Sequence, residues 1–412
     1  MPRKTWQVVG AAALVAALII EGPAAQALGR YSPPPGVAFN NPVGDVSAKR
    51  RILTHVTRTI ASTPRRATIR IAAYSVNSRN IARALVAAHR RGVHVQVLVH
   101  HVEGPALKRM QRVLGKNRGK RSFARRCMHS CRGSEGHLHS KIYLFTRAGK
   151  SRNVVMFGSS NLSIPAADLQ WNDLYTAVAN RRLMSQYVTI FEEMRRDRPT
   201  ARPHRVYTAG RIRSSFFPRP RTARDDDPVM SRLNAVRCFG AAGGAGTAGR
   251  TTVRINMSAW EGDRGVYLAR KVMSKWNQGC DMRVIYGVIG DRVKAVLTGP
   301  SSRGRLPVRI AARDRDRNGL LDLHTHTKYL LVSGRFRRDP SSWIVWTGST
   351  NWSDRAIRSD ELTVRISRRG AFARYRAHFR HLWTLQSTRV TSRTTAAAGQ
   401  GTAFTRRRGV AR

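Results

Sequence analysis

Apolar residues in the first half of the chain follow two different spacings. Between residues 44 and 63 they recur at every fourth position, which predicts a helix with one buried face. Residues 67–75 and 93–100 are short apolar runs, and a helical pattern over residues 79–91 lies between them. A strand, a helix and a second strand in this order predict that the two strands pair in parallel.

The second half of the chain repeats this order. A strand is predicted over residues 251–257, a helix over 266–276 and another strand over 282–287. Residues 197–250 lie between the halves, contain several prolines and a glycine-rich loop, and lack a sustained period. The pattern therefore predicts two similar α/β lobes joined by an irregular inter-lobe segment.

A polar triplet and a polar quartet flank neighbouring apolar runs in each half. Residues 139–141 read His-Ser-Lys and residues 158–161 read Gly-Ser-Ser-Asn. In the second half, residues 326–328 read His-Thr-Lys and residues 348–351 read Gly-Ser-Thr-Asn, at nearly the same separation. One His-x-Lys triplet is common by chance, but two copies with matching strands and quartets indicate a shared function.

This double pattern resembles the HxK(x)4D(x)6GSxN motif of the phospholipase D superfamily, over residues 43–385. Thr146 and Ser333 stand where the family motif has Asp. The resemblance implies two α/β lobes related by pseudo-twofold symmetry, each a mixed sheet flanked by helices. It also implies one active site, where the two His-x-Lys pairs meet.

The paired histidines and lysines supply what cleavage of a phosphodiester needs. Residues i and i+2 of a strand face the same side, so His139 lies beside Lys141 and His326 beside Lys328. The imidazoles can serve as nucleophile and as proton donor, while the ammonium groups stabilise the phosphoryl oxygens without a metal ion or other cofactor. Spacing alone does not distinguish the two histidines. The resemblance implies that His139 forms a phosphohistidine and that His326 is the general acid.

The resemblance also assigns roles to the polar residues near these pairs. It implies that a carboxylate after each quartet orients a histidine, and the matching positions are Asp173 and Glu361; the alternative is that both are solvated acids at strand ends. The residues implied to hold the phosphate are Lys141, Lys328, Asn161 and Asn351, with Ser159 and Ser349 behind them.

One acidic loop raises the question of a metal. Asp314, Asp316, Asn318 and Asp322 occupy the positions of oxygen ligands in a calcium loop, but Thr325 stands where such loops have Glu. Arginines alternate with the acids, which favours an Asx-rich turn over a cation site.

The ends of the chain have the composition of processed or unstructured segments. Residues 1–27 carry basic residues, an apolar run shorter than the ~20 residues of a membrane-spanning helix, and a small-x-small site ending at Ala27. Cleavage near Ala27 would release a secreted protein. The predicted organisation is a signal peptide over 1–27, a first lobe over 28–196, the inter-lobe segment 197–250, a second lobe over 251–385 and a disordered basic tail over 386–412.

Four cysteines agree with export, because an oxidising compartment permits disulfides. Cys127 and Cys131 lie in the loop before the first triplet, and Cys238 and Cys280 both lie near the first strands of the second lobe. Pairing within each of these two regions is expected. A zinc site built on Cys127 and Cys131 with nearby histidines is the alternative, but it lacks the CxxC spacing of structural zinc loops.

Composition narrows the partners to anionic molecules. The chain has 75 Lys and Arg against 23 Asp and Glu, a formal net charge of +52. Arginine is scattered through every segment, so the charge does not choose between phospholipid, nucleic acid and acidic wall polymers. We expect a monomer with an internal pseudo-dimer that acts as a phospholipase D on anionic or zwitterionic lipids at a membrane surface. A metal-independent nuclease is the alternative, and a non-catalytic cationic binding protein is disfavoured by the presence of both complete motifs.

Overall fold

The computed structural model describes residues 31–390, apart from residues 101–103, 220–221, 317 and 319–320. The predicted signal peptide and residues 391–412 of the predicted tail lie outside the described residues. None of the described helices is long and apolar enough to cross a lipid bilayer.

A seven-stranded mixed sheet with helices packed against it forms the first lobe. Its strands are β1 (Gly36–Phe39), β2 (Thr68–Ala73), β3 (His94–Val99), β4 (Phe123–Arg126), β5 (Ile142–Ala148), β6 (Ser151–Gly158) and β8 (Asp173–Ala177), while the short β7 (Gln170–Trp171) lies outside this sheet. The helices are α1 (Val46–Ala61), α2 (Arg79–Arg90), α3 (Pro105–Leu114), α4 (Ile164–Asp168) and α5 (Arg181–Arg196).

A nine-stranded mixed sheet organises the second lobe. Its strands are β9 (Arg205–Ala209), β10 (Ile212–Phe216), β11 (Thr252–Trp260), β12 (Asp281–Ile289), β13 (Val308–Ile310), β16 (Lys328–Phe336), β17 (Asp339–Gly348), β18 (Leu362–Ile366) and β19 (Thr388–Arg389), and the short β14 (Ala312–Arg313) and β15 (Leu323–Thr325) lie outside it. The helices are α6 (Pro228–Asn234), α7 (Gly262–Asn277), α8 (Asp291–Thr298), α9 (Asp354–Arg358) and α10 (Arg369–His381), and a π-helical turn, Leu382–Gln386, continues α10.

The central strands of the two sheets follow the same order. The first sheet reads β8-β6-β5-β2-β3 and the second reads β18-β17-β16-β11-β12, with the same parallel and antiparallel pairs. This agreement confirms the predicted α/β architecture of two mixed sheets flanked by helices. At the equivalent edges, β1 pairs antiparallel with β8 and β10 pairs antiparallel with β18. Residues of the predicted inter-lobe segment thus contribute β9, β10 and α6 to the second lobe.

A shared apolar core holds the two lobes together. One face of each sheet contributes to it, with Phe157 from the first sheet and Leu331 from the second. Helix α5 adds Tyr187 and helix α10 adds Phe379 to the same cluster. Because these side chains are almost fully buried and belong to one cluster, the two sheets are packed as a single unit.

A small three-stranded sheet crosses the boundary between the lobes. Strand β15 of the second lobe pairs with β14 on one side and, in parallel, with β7 of the first lobe on the other. The register joins His324 to Gln170 and Thr325 to Trp171. This pairing aligns the chain leading into the second His-x-Lys triplet with the chain leading into β8.

Both predicted disulfides are present and account for all four cysteines. Cys127 bonds Cys131, with a sequence separation of 4, and Cys238 bonds Cys280, with a separation of 42. All four side chains are buried. The two bonds are compatible with an extracellular protein, since such bonds persist in oxidising compartments.

The two disulfides are expected to differ in how much they stabilise the protein. A cross-link restricts the unfolded chain more when it closes a longer loop, so replacing Cys238 and Cys280 by Ser should lower the free energy of unfolding by about 4 kcal/mol, against about 2 kcal/mol for Cys127 and Cys131. Urea unfolding of the two double variants measures both losses. Equal losses, or a larger loss for Cys127 and Cys131, would contradict this account.

Candidate active site

The two His-x-Lys triplets meet across the boundary between the lobes. The backbone N–H of His139 donates to the carbonyl oxygen of Asp360 at 2.9 Å, and that of His326 donates to the carbonyl oxygen of Trp171 at 2.9 Å. The first triplet is therefore held by the residues just before β18 of the second lobe, and the second triplet by the residues just before β8 of the first lobe.

The imidazole side chains are held across the same boundary, but by unlike partners. His139 Nδ1 lies 2.8 Å from Glu361 Oε1, whereas His326 Nδ1 lies 2.8 Å from Asn172 Oδ1. An acceptor at Nδ1 favours the tautomer with the proton on that nitrogen, which leaves Nε2 as the basic and nucleophilic position. One imidazole is thus backed by a carboxylate and the other by a neutral amide.

The structure places Asn172, rather than the predicted Asp173, against His326. The quartet serine bonds Asn172 across 13 positions in the first lobe and Glu361 across 12 in the second, so the first lobe has one more residue in this connection. Aligning Leu174 with Leu362 conceals that extra residue. Counting 12 residues from Ser159 reaches Trp171, so spacing in the sequence does not identify Asn172. The backbone pairing does, because the N–H of Ser159 bonds the carbonyl oxygen of Asp173 and that of Ser349 bonds the carbonyl oxygen of Leu362, which makes the preceding residues, Asn172 and Glu361, equivalent.

Asp173 has a different set of contacts. It is fully buried, and its Oδ2 accepts hydrogen bonds from Thr347 Oγ1 at 2.6 Å and from Tyr375 Oη at 2.7 Å. Its Oδ1 lies 3.2 Å from the backbone nitrogen of Ser159. Since Thr347 and Tyr375 belong to the second lobe, Asp173 links the lobes behind the site.

The quartet serines are buried behind the histidine partners. Ser159 Oγ donates to Asn172 Oδ1 at 2.9 Å, and Ser349 Oγ donates to Glu361 Oε2. The preceding glycine permits this packing, because a Cβ on Gly348 would collide with the carbonyl oxygen of Leu362. The structure therefore places both serines where they position the residues that hold the imidazoles.

The lysines and asparagines complete a polar site with few internal partners. Lys141 and Lys328 are almost fully buried, and each Nζ donates to the carbonyl oxygen of the histidine two residues earlier. Asn161 Oδ1 and Asn351 Oδ1 are buried without a hydrogen-bond partner among the described residues. Ammonium groups and the Nδ2 atoms of side-chain amides can donate to phosphate oxygens, whereas these Oδ1 atoms are acceptors and would take a hydrogen bond from a donor.

Burial and mutual repulsion govern the protonation of this site. Burial, opposed by Glu361 and reinforced by Lys141 and Lys328, lowers the pKa of His139 to about 4. Burial likewise lowers the pKa of Lys141 to about 7 and holds the pKa values of His326 and Lys328 well below their usual ranges. Both lysines also lower the pKa of His326. At neutral pH the His139 imidazole is therefore neutral, as a nucleophile must be.

Asp360, whose carbonyl oxygen accepts the N–H of His139, is itself held by the disulfide loop of the first lobe. Asp360 is fully buried, and its Oδ2 accepts from the backbone nitrogen of Arg132 at 3.3 Å. The Arg132 guanidinium bonds Glu193 at 2.8 Å and the carbonyl oxygen of Phe217 at 3.0 Å. Burial raises the pKa of Asp360 to about 7, with Arg132 opposing the shift.

An aromatic rim lies beside His139. The ring of Tyr74 packs edge-on to His139, with centroids 5.5 Å apart, and stacks on His100 at 5.4 Å. His137 lies 4.3 Å from His100, also between ring centroids. On the other side, His324 packs edge-on to His326 at 6.1 Å. The surroundings of the two histidines therefore differ.

The remaining sequence features have structural contacts. Thr146 Oγ1 accepts from the backbone nitrogen of Thr68 at 2.9 Å, and Ser333 Oγ accepts from that of Gly246 at 3.0 Å, at the positions where the family motif has Asp.

The acidic loop brings its carboxylates close together. Asp314, Asp316 and Asp322 each place an oxygen within 4.8 Å of the others. The backbone nitrogen of Asn318 bonds Asp314 at 3.2 Å and Asp316 at 3.3 Å, as in an Asx-rich turn. Thr325 is fully buried, and its hydroxyl contacts the interior of the second lobe, so it does not close the loop as a calcium ligand.

The duplicated sheets and the crossed His-x-Lys pairs define a protein of the phospholipase D superfamily. A family model described as "Cardiolipin synthase, PLD-like domain" matches residues 56–195 and 247–383, and the chain belongs to this family. No curated protein matches the sequence.

Solved structures share the two-lobed fold at low identity. Phosphatidylserine synthase from Haemophilus influenzae is 12% identical with a TM-score of 0.51, over 89% of this chain and 90% of that one. Polyphosphate kinase from Porphyromonas gingivalis is 14% identical with a TM-score of 0.54, over 88% of this chain; the chain spans only 53% of that kinase.

The two imidazoles should respond to different substitutions. Asn172→Asp places a carboxylate behind His326 and should raise its pKa, and Glu361→Gln removes one behind His139 and should lower its pKa. Titration of the imidazole signals by NMR measures both. Asp173→Asn is the matched control, one residue along, and should leave the His326 titration in place. A shift of the His326 pKa in that control instead would show that Asp173 is its partner.

Proposed function

We propose that the protein is a secreted phospholipase D, which hydrolyses a phospholipid to phosphatidic acid and a headgroup alcohol through a phosphohistidine at His139. The observation that carries this proposal is the convergence of two His-x-Lys pairs whose imidazoles have unlike partners. Two cations, two amides and two imidazoles provide the nucleophile, proton donor and phosphate ligands of the reaction.

The unlike partners support the division of roles. Attack on phosphorus gives His139 a positive charge, and the Glu361 carboxylate 2.8 Å away stabilises that charge. Asn172 orients His326 equally well, but as a neutral amide it does not hold the proton by charge. His326 is therefore the better proton donor and His139 the better nucleophile.

The proposed reaction takes place in two steps. His139 Nε2 attacks phosphorus, the bond from phosphorus to the headgroup oxygen breaks, and protonated His326 gives that oxygen its proton. Neutral His326 then takes a proton from water, whose oxygen attacks phosphorus as the bond to His139 breaks. Phosphatidic acid leaves, and both imidazoles return to their starting protonation states. Lys141 and Lys328 stabilise the phosphoryl oxygens throughout.

The substrate itself supports protonation of the acid. Without an anion, burial and the two lysines hold the pKa of His326 well below its usual range. A phosphodiester brings a negative charge between these cations and raises that pKa. Binding of substrate thus prepares His326 to donate a proton. Glu361 remains hydrogen-bonded to His139 and stabilises its positive charge after attack.

A lipid substrate is supported by the family description and by the likeness to a phosphatidylserine synthase over nearly the full length of both chains. Secretion is supported by the two disulfides and by the composition of residues 1–27. The net charge of +52 favours a second candidate, a secreted nuclease with the same chemistry.

Lipid and nucleic acid are distinguished by direct assay of the mature protein. The protein should release headgroups from phospholipid in detergent micelles even in EDTA, because its phosphate ligands are side chains rather than a metal ion. Under the same conditions it should leave single-stranded and double-stranded DNA and RNA intact. His139→Ala should show no release. If the protein cleaves nucleic acid and releases no headgroup, the nuclease is the correct function and the phospholipase D is not. If EDTA abolishes headgroup release, the metal-independent mechanism is wrong.

The two histidines should differ according to the leaving group. A general acid contributes ~10²–10⁴-fold with a poor leaving group, and much less with an activated aryl group. His326→Ala should therefore cleave phospholipid at a rate lower by that factor, yet form a phosphoenzyme from a nitrophenyl phosphodiester. That intermediate should accumulate, since the same imidazole activates water.

Acid trapping and peptide mapping should place the phosphate on His139, and His139→Ala should form none. A phosphate on His326 in the His139→Ala variant would reverse the two roles, and no trapped phosphate in either variant would argue against covalent catalysis.

A further inference from the structure

The polar quartets of the two lobes are held in different ways at their last residue. In the first lobe, the carbonyl oxygen of Asn161 accepts from the hydroxyl of the neighbouring Ser160 at 3.0 Å, and no charged side chain among the described residues bonds it. In the second lobe, the carbonyl oxygen of Asn351 accepts from the guanidinium of Arg264 at 2.8 Å. One of the two proposed phosphate ligands is thus held by a cation from outside the motif.

Arg264 lies near the start of α7, and its side chain is only 1% exposed. Its Nε and Nη2 donate to the two carboxylate oxygens of Asp227, at 2.7 and 3.3 Å. Its Nη1 bonds the chain that ends the quartet, at the carbonyl oxygens of Asn351 and, at 3.4 Å, of Ser353. A planar guanidinium can hold a carboxylate along one edge and donate to a carbonyl oxygen elsewhere, whereas the ammonium group of lysine lacks this fork. Arg264 therefore connects Asn351 to Asp227.

Asp227 belongs to the predicted inter-lobe segment, and its own position is fixed by several contacts. It is fully buried and caps the start of α6, where its side chain accepts from the backbone nitrogen of Val229 at 2.7 Å. The hydroxyl of Tyr267 also donates to it at 2.7 Å. Burial by itself raises the pKa of Asp227, but the charge of Arg264 and the hydrogen bonds outweigh burial and hold the pKa below its usual value. The carboxylate is therefore ionised at neutral pH and orients the guanidinium.

The side chain of Asn351 depends on its backbone for its position. Its Oδ1 is buried and has no hydrogen-bond partner within the described part of the chain. The backbone on either side is fixed separately, since the N–H of Ser349 bonds Leu362 at 2.9 Å and the N–H of Trp352 bonds Ala259 at 3.1 Å. The hydrogen bond from Arg264 acts between these two points, so losing it would shift the Asn351 amide relative to a bound phosphate.

We propose that Arg264, held by Asp227, is a positioning residue for Asn351, so that the inter-lobe segment contributes to phosphate binding without touching the substrate. The inference rests on the proposed function and concerns one phosphate ligand of that reaction. If Arg264 only stabilised the fold, replacing it would slow the reaction by the same factor whether or not the Asn351 amide is present. A positioning residue acts through that amide, so its replacement has no further effect once the amide is removed.

A double-mutant cycle distinguishes these two roles. Arg264→Lys keeps a cation beside Asp227 but loses the fork that also reaches Asn351. This substitution is combined with Asn351→Ala, which removes the amide and keeps the backbone carbonyl. The matched control combines it with Asn161→Ala, which removes the corresponding amide of the first lobe.

The same substitution at another arginine controls for the change from Arg to Lys. Arg254 on β11 also joins a carboxylate to a backbone carbonyl, because its guanidinium bonds the Asp281 carboxylate at 2.8 Å and the Asp281 carbonyl oxygen at 2.7 Å. It lies three residues before Met257, which pairs with Lys328, and so roughly 10 Å from the level of the site. Arg254→Lys should therefore leave the reaction rate unchanged.

The reaction is followed as nitrophenolate release in a single turnover of bis(para-nitrophenyl) phosphate, which reports formation of the phosphoenzyme and needs no lipid surface. Arg264→Lys should lower this rate about tenfold, both in the otherwise unchanged protein and with Asn161→Ala, since a hydrogen bond from a charged donor is worth about one decade. With Asn351→Ala it should lower the rate by less than about twofold.

Equal losses with Asn351→Ala and with Asn161→Ala, or no loss in the otherwise unchanged protein, would overturn the proposal. A wild-type protein that releases no nitrophenolate would overturn the proposed function, and this inference with it. Circular dichroism shows whether each variant is folded. If Arg264→Lys does not fold, Tyr267→Phe takes its place in the cycle, because it removes one hydrogen bond from Asp227 and leaves the arginine present. Its loss should be smaller, about threefold, with the same dependence on Asn351.

Discussion

The crossed hydrogen bonds between the lobes are the constraint on which the site depends. His139 of the first lobe is held by Glu361 of the second, and His326 of the second by Asn172 of the first. Each Nδ1 hydrogen bond therefore comes from the opposite lobe. The shared apolar core and the buried Asp173 hold the sheets in the register that these short bonds require. Docking of the lobes and assembly of the site are therefore one event.

The same docking explains how two ammonium groups remain in an almost fully buried site. Lys141 and Lys328 lie close enough for each to lower the pKa of the opposite lobe's histidine, and burial lowers both of their own pKa values. Burying unpaired cations costs free energy, which the large core of a two-lobed protein can offset. An anionic phosphodiester relieves that cost on binding, so the unfavourable electrostatics of the free site become affinity for the substrate.

Duplication has produced two halves that are similar in backbone and different in chemistry. The strand order, the buried serines and the close approach at Gly158 and Gly348 are common to both lobes. The partners of the imidazoles are a carboxylate on one side and an amide on the other. Their surroundings are an aromatic rim with Tyr74 beside His139 and the ring of His324 beside His326. Since attack and expulsion occur on opposite sides of phosphorus, such a difference favours one assignment of the two roles over the other.

Features that depend on local spacing could be predicted from the chain alone: two α/β lobes, a His-x-Lys pair on each, and disulfides between cysteines of the same region. Local periodicity predicts the helices and strands and the buried face of each, and residue spacing places the triplets and cysteines on them. Three features could be seen only in the folded chain: Asn172 rather than Asp173 supports His326, β10 extends the second sheet beyond β18, and residues of α1 and β14 line one cavity. Each of these depends on register between segments far apart in the chain, and one inserted residue changes that register without disturbing the local pattern.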